Sequence, residues 1–263
     1  MRIAVLVKEI PDATVRKRLD PRSGRLERSG ERTLNPHDAH AIEAAVRLRE
    51  TPSAAVEEIV AVTMGPASAS RALHRAVSLG ADRSVHLCDD AFAGSDLIAT
   101  AQALAAALER IEPDLVLAGQ QSDDGECYAL GAAVGEYLHW PALTQVVALE
   151  LRDGRVRCAR QAEYGYDTVE LELPALVGVG DALNEPRYPS LKAIMGARNR
   201  PLETLTAADL GIALDQVGAA GSRARWVGVK QPARRPQATM IEDRDAEETV
   251  ARIIAWLDER RVI

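Results

Sequence analysis

The chain has 263 residues, is 47% apolar but only 3% aromatic, and carries a formal charge of −7. That length suits one large or two small domains around an aliphatic, alanine-rich core. The acidic balance excludes a nucleic-acid binder, which would show a basic face. Cys88, Cys127 and Cys158 stand far apart with no CxxC pair, so they read as reduced thiols of a cytoplasmic protein, not a disulfide frame or zinc site. The opening run MRIAVLVKEI is too short for a signal peptide. No apolar run of about 18 residues occurs, so no membrane insertion is expected.

Ile3–Val7 is a continuous apolar strand, followed by Lys8 and Glu9. Residues 11–34 are polar, carry six arginines, and form a long connection of the kind that is usually functional. Asn35 reads as an N-cap with Pro36 at the first helical position, and the helix runs to about Arg49. Ile59–Met64 is the second strand. Gly65–Pro66 begins a helix that Gly80 ends. Ser84–Leu87 is a third strand, and Ser95 or Asp96 caps an alanine-rich helix to about Ile111. Asp114–Ala118 reads as a buried parallel strand broken by Gly119. A polar loop, Gln120–Glu126, leads into a helix from Cys127 that buries Leu130, Ala133, Val134, Tyr137 and Leu138. Strands and helices alternating at this interval predict an α/β fold with a doubly wound, mainly parallel sheet of the nucleotide-binding type.

After Pro141 the pattern changes to strict alternation. Gln145–Leu151, Val156–Glu163 and Thr168–Leu173 predict an antiparallel excursion with turns at Asp153-Gly154 and Gly165. Ala175–Val179 returns to the buried sheet. Residues 183–200 read as a proline-braced loop with a short helix at Leu191–Ala197, and Thr206–Leu210 as a helical turn. From Gly218 the composition turns to Gly, Ala, Pro and Arg, which predicts a domain over 1–217 and an extended C-terminal arm over 218–263. The arm ends in a helix, Ala246–Glu259, with Val250, Ile253, Ile254 and Leu257 on one face. A lone helix of that length is stable only with its apolar face buried, on this chain or on a partner.

Three strand ends, Leu6–Lys8, Met64–Gly65 and Gly119–Ser122, should meet at one edge with the helix start Asn35–Asp38. That is a topological switch point, where a ligand is expected. Leu6 and Met64 are apolar enough to flank a flat base. Backbone amides over Asp123–Ala129, at a helix N-terminus, suit a phosphate. Asp123, Asp124 and Glu126 would repel one, so they read as helix caps. No catalytic motif of the GxSxG, HExxH or GxxxxGK[ST] kind occurs. His37 and His40 have a metal-compatible spacing but no convergent partners, so no metal is expected.

Three separated stretches resemble the beta subunit of electron transfer flavoproteins. They are VLVKEIPD (Val5–Asp12) with LNPHDAHAIEAAVRLRE (Leu34–Glu50); AVTMGPASASRALHRAVSLGADRSVHL (Ala61–Leu87) with LAGQQSDDGECYALGAAVGEYLHWP (Leu117–Pro141); and LPALVGVGDALNEPRYPSLKAIMGARNRPLE (Leu173–Glu203). The order matches along nearly the whole chain, and the NEPRY…L..IM element is specific to that family. The resemblance implies an α/β domain that buries AMP. The matching positions are Leu6, Asn35, Pro36, His37, Asp38, Met64, Ala118, Gly119, Gln120, Gln121, Ser122, Asp123, Asp124, Gly125, Glu126, Cys127, Tyr128 and Ala129. It also implies a heterodimer with an ETF alpha subunit, which holds most of a redox FAD. His37 matches the position facing that flavin, where an aromatic residue is usual.

Residues 182–200 resemble the family's recognition loop for a partner dehydrogenase. Leu191 matches its anchoring leucine, with Arg187, Tyr188, Ile194 and Met195 around it. The implied role is an electron carrier, without bond chemistry of its own, between acyl-CoA or similar dehydrogenases and a membrane quinone oxidoreductase. One subgroup bifurcates electrons and binds a second FAD in place of AMP, with NADH nearby. Its loop typically reads DGDTAQVGP; here the run is DGECYALGA, Asp124–Ala132. A reading from another class is a stand-alone adenine-nucleotide-binding stress or signalling module, which would rarely need the C-terminal arm.

Overall fold

The structure is a computed structural model that describes residues 1–51, 54–225, 227–228, 233, 238, 240–241 and 245–263. It divides into two compact units, Met1–Val227 and Gly228–Ile263.

In chain order the first unit holds β1 (Arg2–Leu6), β2 (Glu9–Pro11), β3 (Arg32–Leu34), α1 (Pro36–Glu50), β4 (Glu58–Met64), α2 (Ser70–Leu79), β5 (Arg83–Leu87) and α3 (Leu97–Ile111). Then come β6 (Leu115–Gly119), α4 (Leu130–Leu138), β7 (Ala142–Arg152), β8 (Arg155–Ala162), β9 (Gly165–Glu172), β10 (Ala175–Val179), α5 (Leu191–Ala197), β11 (Leu202–Leu205) and α6 (Gly218–Gly221). Nine strands form one sheet in the order β11-β5-β4-β1-β6-β10-β7-β8-β9. Pairing is parallel from β11 through β7, and antiparallel from β7 to β9. This is the expected doubly wound α/β sheet with its antiparallel excursion.

The central strands are apolar on both faces because helices cover both. Ile3 and Val5 of β1 pack in a layer with α1 and α2, while Ala4 and Leu6 pack in a layer with α3 and α4. β4 and β5 follow β1 on one side, and β6 lies on its other side. The sequence order therefore reverses between β1 and β6, which places the switch point at the carboxyl ends of those two strands. The β7–β8 turn is the predicted Asp153-Gly154, with φ of 50° and 75°, as a two-residue hairpin requires.

Three local expectations are corrected. The connection over 11–34 is not merely a loop: its ends pair as the antiparallel β2–β3, and a Leu19–Leu26 bridge closes its middle. Leu202–Leu205, unassigned in the sequence, adds a parallel edge strand beside β5. Gly218–Ala224 is not a free arm. Asp96 Oδ2 accepts the N–H groups of Arg223 and Ala224, each at 2.8 Å, and Ser95 Oγ accepts that of Gly218 at 2.9 Å. Much of the expected arm beyond, residues 226, 229–232, 234–237, 239 and 242–244, lies outside the described residues.

The second unit contains α7 (Ala246–Glu259), with the bounds the sequence implies and Asp245 as its N-cap. None of its residues is buried. Arg260 lies over the ring of Trp256 at 4.1 Å.

Gly119 ends β6 where α1 begins. A β-carbon there would stand 2.5 Å from Asp38 Oδ1 and 2.7 Å from the His37 carbonyl carbon. Gly119→Ala should therefore destabilise the fold by about 1–3 kcal/mol. Gly196→Ala, on α5 with open space around it, should be neutral or slightly stabilising. Urea denaturation of both variants measures the contrast.

Candidate functional site

The carboxyl ends of β1, β4 and β6 open into a cavity of about 400 Å³. Leu6, Val62, Met64 and Ala118 form an apolar floor, and Leu97, Thr100 and Leu104 of α3 form one wall. Gly119–Ser122, Gly125, Cys127, Tyr128, Leu130 and Gly131 close the other side, with Lys8 and Arg28 at the rim and buried Asp38 also in the lining.

The expected site residues divide by role. Leu6, Asp38, Met64, Ala118, Gly119, Gln120, Gln121, Ser122, Gly125, Cys127 and Tyr128 line the cavity. Asn35 does not. It is fully buried, and its side chain makes no helix cap. Its Nδ2 donates to Asp38 Oδ1 and to the Gln121 carbonyl, both at 2.8 Å, and its Oδ1 accepts the Asp123 N–H at 3.2 Å. Asn35 thus ties α1 to the loop after β6. Pro36 starts α1 beside it. His37 pairs through Nε2 with Asp123 Oδ1 at 3.1 Å, whereas His40 Nδ1 contacts the Asn184 carbonyl at 2.9 Å. The two histidines therefore diverge.

The acidic loop behaves differently from the expectation. Asp123, Asp124 and Glu126 do not cap α4, which starts at Leu130 rather than Cys127 with Ala129 at its N-cap and no side-chain cap bond. Ser122 O accepts the N–H groups of both Gly125 and Glu126, and Glu126 and Tyr128 take φ of 45° and 57°. Those left-handed residues break the helix before its apolar stripe begins. The amides of Asp123, Gly125 and Glu126 are spent within the protein. The first helical bond of α4 is Ala133 N–H to Ala129 O, at 3.0 Å. Its preceding amides, including those of cavity-lining Leu130 and Gly131, have no intrahelical partner.

Asp124 is 1% exposed at its side chain and lies between two cations, Lys8 Nζ at 2.7 Å and Arg28 at 2.5 Å. Burial alone would raise its pKa, but the Lys8 hydrogen bond and the charges of Lys8 and Arg28 outweigh that and hold it below the usual carboxylate range. Asp38 goes the other way. Burial pushes it up to about 7 despite hydrogen bonds from Asn35 and the Lys8 amide. Gln121 Oε1 is buried with no partner among the described residues.

Sequence reasoning placed Lys8 at this edge but missed Arg28 and the α3 wall. The signal for the wall was present: α3 follows a parallel strand, so its N-terminus opens on the same edge. Nothing local marks Arg28 among six arginines. Among the described residues no cluster of three or more His, Cys, Asp or Glu could hold a metal, and no helix is long and apolar enough to cross a membrane.

The recognition-loop residues lie apart, on α5 and its approach. Tyr188 is 93% exposed, Leu191 73%, Met195 65% and Ile194 36%, so Leu191 is not core. Arg187, on the same approach, is 38% exposed at its side chain and pairs with Glu43 and Glu50 of α1.

The family model for the electron transfer flavoprotein domain matches residues 24–210. Over 265 residues, all of both chains, the protein is 36% identical to the electron transfer flavoprotein subunit beta of Thermoanaerobacterium thermosaccharolyticum. It is 39% identical to that of Mycobacterium tuberculosis over 224 residues, 84% of each chain. It is also 34% identical, over the whole of both chains, to subunit CarD of the caffeyl-CoA reductase-Etf complex of Acetobacterium woodii. A switch-point cavity in a doubly wound sheet, an exposed apolar loop and these full-length similarities agree: the chain belongs to the electron transfer flavoprotein family, as a beta subunit.

Proposed function

We propose that the chain binds AMP in the switch-point cavity and pairs with an ETF alpha subunit that holds most of the FAD. The observation that carries this reading is the cavity itself. Its apolar floor suits a purine, and the uncapped first turn of α4 faces it with Lys8 and Arg28 alongside. Amides at a helix N-terminus and two cations fit a phosphate. The orphaned Gln121 Oε1 offers an acceptor for a ligand N–H or O–H. The volume, about 400 Å³, is near the lower end of the roughly 300–1,000 Å³ typical of ligand pockets. That size favours a mononucleotide over a second FAD.

The FAD would supply the redox chemistry. This chain's part is to cover one side of it, with His37, fixed by Asp123, at the position the family turns toward the flavin. The exposed Tyr188, Leu191, Ile194 and Met195 serve as the docking patch for an acyl-CoA or similar dehydrogenase. The similarity to a subunit of a caffeyl-CoA reductase complex supports a partner class that handles CoA esters. Electrons would pass on to a membrane quinone oxidoreductase, and the heterodimer would work in the cytoplasm.

Counting nucleotides in the native heterodimer tests the assignment: one FAD and one AMP are expected, and two FADs would establish the bifurcating form instead. The isolated chain should retain adenylate and little flavin. Arg28→Gln should weaken AMP binding by about tenfold, the scale of one charge-assisted bond, read by calorimetry on nucleotide-stripped protein. Leu191→Ala should raise KM for a reduced acyl-CoA dehydrogenase by about tenfold and leave the AMP content unchanged.

Asp38 gives a pH prediction. Burial pushes its folded pKa up to about 7, above the ordinary carboxyl value of 3.8. A carboxyl raised in this way adds stability below its unfolded pKa and loses it as pH rises through the folded one. The stability of wild type relative to Asp38→Asn should therefore decline between about pH 4 and 7 and level off above. Urea midpoints across that range, for nucleotide-stripped protein, measure the slope. The slope is the readout because Asn leaves one of the two donors at this site facing an amide.

A further inference from the structure

We infer that Arg187 is a positioning residue that clamps the docking loop onto α1 and so fixes the direction in which Leu191 and its neighbours project. The inference rests on the docking reading proposed above. α5 has only seven residues and one buried side chain, Ala197. A helix that short is unstable alone, and its three large apolar side chains, Leu191, Ile194 and Met195, face outward. It rests against α2, and the chain that leads into it is tied to α1.

The chain just before it is held at three points. His40 Nδ1 meets the Asn184 carbonyl at 2.9 Å, and Asn184 Nδ2 returns a bond to the His40 carbonyl at 3.0 Å. Arg47 reaches the Glu185 carbonyl at 3.2 Å. Arg187 then spans two carboxylates of α1. Its Nε and one terminal nitrogen bind Glu43 at 2.7 and 3.1 Å, and its terminal nitrogens bind Glu50 at 2.7 and 3.0 Å.

Glu43 is 4% exposed at its side chain and is also bound by Arg47 Nε at 2.6 Å. Burial opposes its charge, but Arg187 and Arg47 outweigh that and hold it below the usual range. Glu43 and Glu50 lie two turns apart on one face of α1, and only a planar, many-pronged guanidinium bridges both. The clamp ends one residue before Tyr188 and four before Leu191. It pre-pays the ordering of the loop, which would otherwise be charged against each docking event.

The test uses the reconstituted heterodimer with Arg187→Ala, Arg187→Lys and Leu191→Ala. Hydrogen exchange over 184–197 is read first, then KM and kcat with acyl-CoA-reduced acyl-CoA dehydrogenase. Arg187→Ala should speed exchange in that segment at least tenfold and raise KM about tenfold at unchanged kcat and nucleotide content. Arg187→Lys should fall between, because one ammonium cannot bridge both carboxylates. Leu191→Ala should raise KM without changing exchange. Unaltered exchange in Arg187→Ala would overturn the clamp whatever the kinetics. Faster exchange with no change in KM would overturn its role in positioning. An unaltered KM in Leu191→Ala would instead sink the docking reading and leave the exchange result as the measure of the clamp.

Discussion

The structure turns on a buried joint made by Asp38 and Asn35. Asp38 Oδ2 accepts the Lys8 N–H at 2.8 Å just past β1, and Asn35 N–H bonds the Lys8 carbonyl at 2.9 Å. Asn35 then reaches Gln121 and Asp123 after β6. Two polar side chains thereby lock together the ends of the two strands that flank the switch point and the start of α1. Buried polar groups are tolerated only when their bonds are made, and here every bond is to a segment that shapes the cavity. Gly119 belongs to the same joint: its missing side chain lets α1 close on β6. The cavity's geometry is thus fixed before any ligand arrives.

The same joint explains how an acidic loop can border the proposed phosphate site. Asp124 is matched by two cations rather than one, so the trio carries a net positive charge. The other acids are turned elsewhere, Asp123 toward His37 and Glu126 into an exposed left-handed turn. With Asp38 partly neutral near pH 7, the rim repels a phosphate far less than its composition suggests. The uncapped α4 amides add attraction that costs no reorganisation.

Much of this was legible in the sequence because two signals were strong. Continuous apolar runs such as Ile3–Val7 and Ala175–Val179 can only be strands covered on both faces, and the apolar spacing of Ala246–Glu259 gives α7 to the residue. Alternating strands and helices then force a common edge, which gathers Leu6, Met64 and Gly119–Ser122. The failures have physical causes. The short strand β11 (Leu202–Leu205) has no pattern long enough to show a period. Leu19 and Leu26 pair across an otherwise polar excursion. The start of α4 was misplaced because Cys127, Tyr128 and Ala129 are acceptable helix residues, whereas the left-handed conformations of Glu126 and Tyr128 delay the helix to Leu130. The ion pairs of Arg187 with α1 were invisible because an arginine on a proline-rich loop gives no hint of two carboxylates on α1.

A carrier must bind its donor well enough to accept an electron and leave quickly enough to deliver it. Transient electron-transfer contacts lie at the small end of protein interfaces, and affinity there is governed by a few anchors rather than area. In the proposed docking role, Leu191, Ile194 and Met195 on one short helix, with Tyr188 just before it, meet that requirement only if they do not have to be ordered at each encounter. A loop fixed by hydrogen bonds and ion pairs to α1, with its helix resting on α2, keeps those side chains outward and still defined. Rigidity of the support and weakness of the contact are therefore compatible: the first speeds productive encounters, and the second sets the release rate.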